Sequence, residues 1–518
     1  MFQRTSIEGF LGRTGVAFTV FILAAFLGPQ PAAAATCDSL LTLKLPDTTV
    51  TSAETVAAGA FTAPGGRGGG GGGRGPSPYA DLPAFCRVAL TLKPSADSDI
   101  KVEVWLPMTN WNNKFQAVGN GGWAGSISYA AMAEALRRGY ATSSTDTGHT
   151  GPSASFAMGH PEKVIDFGWR SEHEMTVKAK AVINAFYGSS PKYSYFTGCS
   201  GGGRQGLMEA QRFPQDYDGI VAGAPAVNFT GRAVQAIWLA QASHMNEANY
   251  IPPAKYPAIQ NAILGACDAL DGVKDGVLEN PRACKFDPKV LECKGADADT
   301  CLTAAQVETA RKIYAPVLNS RTKREIFPGL EPTASFGTLA GAQPFGIATD
   351  LFRYVVFQDP NWDYKTLNFD SHMDLTAKLA GAHIDALDSN LKPFFDRGGK
   401  IIQYHGWSDP QIAAGSSVNY YKSVVDRLGA DAVMRSHRLF MVPGMAHCGG
   451  GDGTSTFDML TALEEWVEKG KAPDQIIASR VVSGKVERTR PLCPYPQVAT
   501  YKGSGSTDDA ANFTCKAP

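Results

Sequence analysis

Two residue pairs carry the chemistry this sequence offers. Ser200 follows Cys199 in Phe196-Thr197-Gly198-Cys199-Ser200-Gly201-Gly202, and His447 precedes Cys448 in Val442-Pro443-Gly444-Met445-Ala446-His447-Cys448. A hydroxyl becomes a nucleophile when an imidazole stands close enough to take its proton. A disulfide between Cys199 and Cys448 would force that proximity, because bridged cysteines keep their Cα atoms within about 7 Å. Gly198-Cys199-Ser200-Gly201-Gly202 also fits the G-x-S-x-G elbow, a strand-to-helix turn so tight that the flanking residues must be tiny. With Gly 55 in the chain, the pattern alone is weak, and a plain glycine turn is the bland alternative. Context raises it: Lys192 to Phe196 reads as a strand and Arg204 to Arg212 as a helix.

The partners of such a serine lie downstream. His447 sits in a glycine-rich loop after the apolar run Arg438 to Val442, and Asp409 follows the run Lys400 to Tyr404 in His405-Gly406-Trp407-Ser408-Asp409-Pro410. The Asp409 carboxylate would hold the imidazole in one tautomer and stabilise its protonated form. The order Ser200, Asp409, His447 is the α/β-hydrolase order of nucleophile, acid and base. His405 and His437 compete for the role of base. His405 precedes a turn, where bonding to backbone is the expectation, and His437 opens a strand without a neighbouring cysteine, so triad geometry favours His447. A tetrahedral intermediate also needs backbone N–H donors. Gly201 supplies one, and the loop Gly119 to Gly125 after the strand Phe115 to Val118 supplies the other, with Gly122 the choice. The bland alternative is that these glycines only permit a turn.

The elements that position these residues alternate. Ile100 to Leu106, Phe115 to Val118, Tyr140 to Ser144 and Asp218 to Ala222 read as strands, and Met132 to Arg138 and Glu174 to Tyr187 as helices. That rhythm implies an α/β fold with a mainly parallel sheet. It breaks over 228–392, read as a lid domain inserted across the sheet's carboxyl edge, which leaves 36–227 and 393–518 as the catalytic domain.

Residues 1–35 read as a signal peptide: Arg4 and Arg13, an apolar core from Val16 to Leu27, and Ala33-Ala34-Ala35 for cleavage. The apolar run is too short to span a bilayer, and no later stretch is apolar enough. Lipid attachment at Cys37 is a weak reading, because Thr36 is a poor fit before a lipidated cysteine. A secreted or periplasmic protein without a membrane anchor is expected. All 10 cysteines lie beyond the signal and no C-x-x-C pair is present, which points to disulfides rather than zinc. Net charge of -1 gives no basic excess for nucleic acid. Pro64 to Pro76 is nearly all glycine with two arginines, an expected flexible surface loop rather than an RNA-binding segment. Cys37 and Cys86 flank it, and a bridge between them would tie its base.

Cys267-Asp268-Ala269-Leu270-Asp271-Gly272-Val273-Lys274-Asp275-Gly276-Val277 offers the hard oxygens that Ca2+ selects. It is not an EF-hand, since Val273 stands where Asp or Asn belongs and Arg282 where the closing glutamate belongs. A solvated acidic loop is the alternative. Cys267 and Cys284 bracket the segment, so a bridge there would reduce the entropy cost of binding.

Gly198-Cys199-Ser200-Gly201-Gly202-Gly203-Arg204-Gln205-Gly206, Gly406-Trp407-Ser408-Asp409 and Gly444-Met445-Ala446-His447-Cys448 together resemble the nucleophile, acid and histidine motifs of the tannase and feruloyl esterase family. The resemblance runs over most of the mature chain. It implies an α/β-hydrolase fold with a large inserted lid. It implies a structural Ca2+ in that lid, held by the carboxylates of Asp268, Asp271 and Asp275 and the carbonyls of Val273 and Val277, far from bond breaking. It implies the bridges Cys37–Cys86, Cys199–Cys448, Cys267–Cys284, Cys293–Cys301 and Cys493–Cys515. The implied activity is that of a serine carboxylic ester hydrolase acting on small aromatic or plant-cell-wall-derived esters: galloyl, feruloyl or terephthalate monoesters. The lid aromatics Phe336, Phe345, Phe352, Tyr354, Phe357 and Trp362 are then expected to grip the acyl ring. Two other readings stay open: a non-catalytic, calcium-dependent binding protein on a hydrolase scaffold, and a peptidase, for which nothing beyond the shared triad speaks.

Overall fold

The computed structural model describes residues 35–64 and 77–518. The signal peptide read over 1–35 (Ala35 apart) and the glycine run from Gly65 lie outside the described residues.

Seven strands lead the chain: β1 (Thr48–Val56), β2 (Phe85–Leu92), β3 (Ile100–Pro107), β4 (Lys114–Val118), β5 (Ala141–Thr145), β6 (Tyr193–Cys199) and β7 (Gly219–Gly223). A two-strand ribbon, β8 (Val317–Leu318) and β9 (Glu325–Phe327), precedes β10 (Lys400–Gly406) and β11 (His437–Val442). The main sheet has nine strands in the order β1-β2-β3-β5-β4-β6-β7-β10-β11. From β5 to β11 every neighbouring pair is parallel, while β1, β2 and β3 form an antiparallel flank. That flank was only partly legible. β1 is an edge strand of Thr, Ser and Glu with a single fully buried residue, Ala53, so it lacks the apolar alternation that marks a strand.

The strands of the centre alternate as period two requires. Phe196, Ile401 and Leu439 point to one face, and Tyr195, Ile402 and Phe440 to the other. The longer helices are α1 (Tyr129–Arg137), α2 (Ser171–Tyr187), α3 (Gly201–Arg212), α4 (Phe229–His244), α5 (Tyr256–Cys267), α6 (Ala304–Tyr314), α7 (Gly415–Leu428) and α8 (Met459–Lys469). Met175, Ala179, Val182 and Ile183 of α2, Leu207 and Met208 of α3 and Val418 and Val424 of α7 cover the first face. Leu460, Leu463 and Trp466 of α8 cover the second. Each large apolar side chain buried this way contributes about 1.5–3 kcal/mol.

Between β7 and β10 the chain leaves the sheet and builds a separate core around α4, α5, α6 and the β8–β9 ribbon. The Asn228 side chain caps α4 by accepting from the Gly231 N–H, and Thr303 and Gln306 form a capping box on α6. After α8 the chain closes with two hairpins, β12 (Ile476–Val482) with β13 (Lys485–Leu492) and β14 (Val498–Tyr501) with β15 (Phe513–Lys516). The disulfides are Cys37–Cys86, Cys199–Cys448, Cys267–Cys284, Cys293–Cys301 and Cys493–Cys515. No helix among the described residues is long and apolar enough to cross a membrane.

Candidate active site

Ser200 sits where β6 ends and α3 begins, with φ 63° and ψ −120°. A non-glycine residue in that region costs of order 1–3 kcal/mol and persists only where its surroundings over-determine it. Here they do. The Ser200 N–H donates to Gly223 O of β7 at 2.9 Å, and Ser200 O accepts from the N–H groups of Arg204 and Ala226, both at 3.1 Å. The turn is closed by contacts only glycine permits: a Cβ on Gly198 would lie 2.6 Å from the Gly202 backbone. Helix α3 begins at Gly201 rather than near Arg204, because its first turn is this elbow, whose three glycines carry no helical signal of their own.

The other parts converge on the same carboxyl edge of the sheet. Cys199 and Cys448 are bridged with their Cα atoms 6.0 Å apart, so the residues beside them, Ser200 and His447, are tethered neighbours. His447 Nδ1 donates to Asp409 Oδ2 at 2.7 Å. A carboxylate only accepts, so the His447 proton lies on Nδ1 and the Nε2 lone pair is left for another partner. In this state the Ser200 hydroxyl makes no hydrogen bond to that ring, and such bonds commonly tighten only with substrate in place. Asp409 is fully buried, and its Oδ1 accepts from the N–H groups of Gln411 at 2.8 Å and Ile412 at 3.0 Å. Burial alone would push this carboxyl up; hydrogen bonds from His405 and His447 override it and hold Asp409 well below the ordinary carboxylate range.

His405 does more than bond to backbone. Its Nε2 lies 3.0 Å from Asp409 Oδ2, and its Nδ1 lies 2.7 Å from Ser417 Oγ. His437 is buried against Gln403 Oε1 at 3.0 Å, and burial lowers it to about 3, which suits a neutral core histidine. Sequence reasoning also missed Arg232. This buried arginine of α4 donates through Nε to Gln411 O at 3.0 Å and lies over the Phe345 ring at 4.6 Å. Burial lowers its pKa to about 10, against the attraction of Asp409.

The loop after β4 lies against the elbow. A Cβ on Gly201 would stand 3.1 Å from Gly121 Cα and 3.4 Å from the Gly122 nitrogen, and Gly122 itself has φ 59°. A pair of amides fixes the loop. The Asn120 N–H donates to Gln205 Oε1 at 3.1 Å, and Gln205 Nε2 donates to Asn120 Oδ1 at 2.9 Å. Neither residue was singled out from the sequence, although Gln205 sits on the first turns of α3, where a side chain faces back over the elbow.

The lid meets this loop through Ile347 and Trp123: Trp123 Nε1 donates to Ile347 O at 3.0 Å. Phe352, Phe357 and Trp362 pack on one another, and Phe336 packs edge-on against Tyr256, within the lid's own core. Composition shows that rings are abundant but not which way they turn.

The chain matches the family model described as tannase and feruloyl esterase over residues 86–516. The chain belongs to the tannase and feruloyl esterase family. It is 42% identical to an uncharacterised esterase of Xanthomonas campestris pv. campestris, covering 93% of this chain and 91% of that one. It is 35% identical to feruloyl esterase C of Talaromyces stipitatus, over 92% of this chain and 94% of that one. The crystal structure of feruloyl esterase B from Aspergillus oryzae superposes with a TM-score of 0.85 at 33% identity, covering 93% of this chain and 99% of that chain. As a member of this family the protein is a carboxylic ester hydrolase with the α/β-hydrolase fold.

The acidic segment of this esterase folds back on itself through its own carboxylates. Asp268 Oδ1 accepts from the Gly276 N–H, Asp271 Oδ1 from Val273 and Asp275 Oδ1 from Val277, at 3.0, 2.9 and 3.1 Å. Asp271, Val273, Asp275 and Val277 line one small cavity with Glu279, Arg488 and Arg490, and the two arginines pair with Asp275. Burial and the neighbouring Asp275 and Asp268 push Asp271 up, against hydrogen bonds from the Val273 and Glu279 N–H groups. Three carboxylates, Asp271, Asp275 and Glu279, therefore face two guanidiniums, and the donor set is all oxygen, which fits a hard divalent cation. The segment also reaches elements beyond the lid. The cavity is closed by Pro443 and Gly453 of the loop that carries His447, and by β13 to β15. A Cβ on Gly444 would stand 3.1 Å from Val277 Cγ1. The segment bridges the lid, the C-terminal hairpins and the histidine loop.

Proposed function

We propose that this protein is an exported serine esterase that hydrolyses esters of phenolic and related aromatic acids through an acyl-enzyme. The observation that carries the reading is the tethered elbow: Ser200 at positive φ, bridged through Cys199–Cys448 to a histidine whose Nδ1 is engaged by buried Asp409. Ser200 Oγ attacks the ester carbonyl carbon while its proton passes to His447 Nε2. The N–H groups of Gly201 and Gly122 stabilise the oxyanion that forms, a contribution of typically 10²–10³ in rate per donor. The tetrahedral species collapses, the C–O bond to the alcohol breaks, and His447 gives its proton to the departing alkoxide. Water then enters, loses a proton to the same nitrogen and releases the acid, leaving Ser200 free. Throughout, Asp409 keeps the proton of His447 on Nδ1. Phenolic acids as the acyl group find support in the relatives named feruloyl esterase.

Ca2+ is proposed at Asp268, Asp271, Asp275 and the carbonyls of Val273 and Val277. When bound it supplies a cross-link that holds the loop, and no bond-making step passes through it. Five disulfides support residence in an oxidising compartment, secreted or periplasmic. The test is hydrolysis of methyl ferulate and methyl gallate by Ser200→Ala. Loss of turnover with an unchanged melting temperature is expected, and turnover like the wild type would defeat the assignment of the nucleophile.

A further inference from the structure

Asp409 serves two imidazoles, not one. Its Oδ2 lies 2.7 Å from His447 Nδ1 and 3.0 Å from His405 Nε2, while Oδ1 is taken by two backbone N–H groups. His405 Nε2 also lies 3.1 Å from the carbonyl oxygen of Ile412. Both of its neighbours there accept only, so Nε2 carries a proton. On its other side Nδ1 lies 2.7 Å from the Ser417 hydroxyl of α7, which anchors the ring. The ring is completely buried, so it touches no substrate and is no alternative base.

Charged groups from three elements close around the ring. From the lid, Glu331 faces this region and is paired with Arg282 at 3.0 Å; from α4 comes Arg232, next to the Asp409 loop; from the loop after β11 comes His447. Two carboxylates, Asp409 and Glu331, and two guanidiniums, Arg232 and Arg282, thus surround the ring.

We propose that His405 is a positioning residue: by sharing Asp409 Oδ2 it fixes the carboxylate toward His447 and limits how strongly that carboxylate holds the proton of the catalytic imidazole. The inference rests on the reading of Ser200, His447 and Asp409 as nucleophile, base and acid. A carboxylate with one donor fewer would swing more freely and would bind a protonated His447 more tightly. Both effects act on turnover and neither acts on substrate binding.

The experiment follows kcat/KM for methyl ferulate against pH in the wild type, His405→Gln and His405→Phe, with phosphonate labelling of Ser200 measured alongside. His405→Phe is expected to move the acid limb about one unit to higher pH, a tenfold loss below the midpoint, with kcat reduced and KM little changed. His405→Gln keeps a side-chain N–H directed at Asp409 and is expected to restore most of both. An acid limb that stays in place in a folded His405→Phe, or equal damage in the two variants, would overturn the inference. If His405→Phe does not fold, ¹⁵N-histidine spectra of the wild type decide: a neutral Nε2–H ring for His405 supports it, and the Nδ1–H tautomer overturns it. Absence of labelling at Ser200 in the wild type would overturn the triad reading and this inference with it. Labelling with an unmoved profile would overturn this inference alone.

Discussion

Breaking the Cys199–Cys448 bridge should damage this enzyme in two separable ways. The perturbation is the double substitution Cys199→Ala with Cys448→Ala, compared with Cys293→Ala with Cys301→Ala as a control far smaller in span. The first bridge closes a sequence separation of 249, for which chain entropy gives a stabilisation of about 5.5 kcal/mol at 25 °C. The second closes a separation of 8, worth about 2.5 kcal/mol by the same relation. Domains of this kind hold only about 5–15 kcal/mol in total, so the first loss should show plainly in guanidinium unfolding midpoints. The catalytic effect is distinct from the thermodynamic one. The bridge joins the residues next to Ser200 and His447, and a misplacement of about 1 Å in a reacting pair costs on the order of a hundredfold. The Cys199/Cys448 variant, assayed cold and folded, should therefore lose at least about tenfold in kcat on methyl ferulate, while the Cys293/Cys301 variant keeps its kcat. Retention of kcat/KM within about twofold by the folded Cys199/Cys448 variant would refute the claim that the bridge holds the geometry.

Two further outcomes follow from the site. Gln205→Ala removes both amide hydrogen bonds that tie Asn120 to α3 and leaves the Asn120 N–H without its partner, a cost of about 1–3 kcal/mol. Because that loop carries Gly122, kcat should fall by about ten- to a hundredfold with KM nearly constant, and a change confined to KM would speak against the oxyanion role. Chelation should lower the melting temperature and added Ca2+ should restore it, since the carboxylates of Asp271, Asp275 and Glu279 would then face only Arg488 and Arg490. Elemental analysis showing no calcium, together with a melting temperature indifferent to chelator, would remove the metal from the account.

How much of this could be read from the sequence depends on the range of the interaction that carries it. The elbow was legible because its signal is local: a strand, a serine between glycines and a helix within a few residues. The bridge between residues 199 and 448 was legible because a cysteine beside each reacting group is a rare coincidence. What stayed hidden are pairings whose two halves give no sign of each other. Asn120 and Gln205 are ordinary amides until β4 and β6 lie side by side. His405 looked like a turn residue because nothing in the sequence places Ser417 or the far side of Asp409 against it. The lid aromatics could be counted from the sequence but not aimed, since a ring's direction is set by packing in three dimensions. The acidic loop's further contacts were equally hidden: Val273 packs with Cys493, Ala499 and Phe513 near the C-terminal hairpins.

The central claim is that Ser200 is the atom source of the new ester bond. Incubation with a serine-directed aryl phosphonate, followed by digestion and mass spectrometry, addresses it without reference to any natural substrate. Stoichiometric modification of the peptide containing Ser200, abolished in Ser200→Ala and slowed in His447→Ala, is the expected result. An enzyme that hydrolyses methyl ferulate while Ser200 stays unmodified at saturating phosphonate would contradict it.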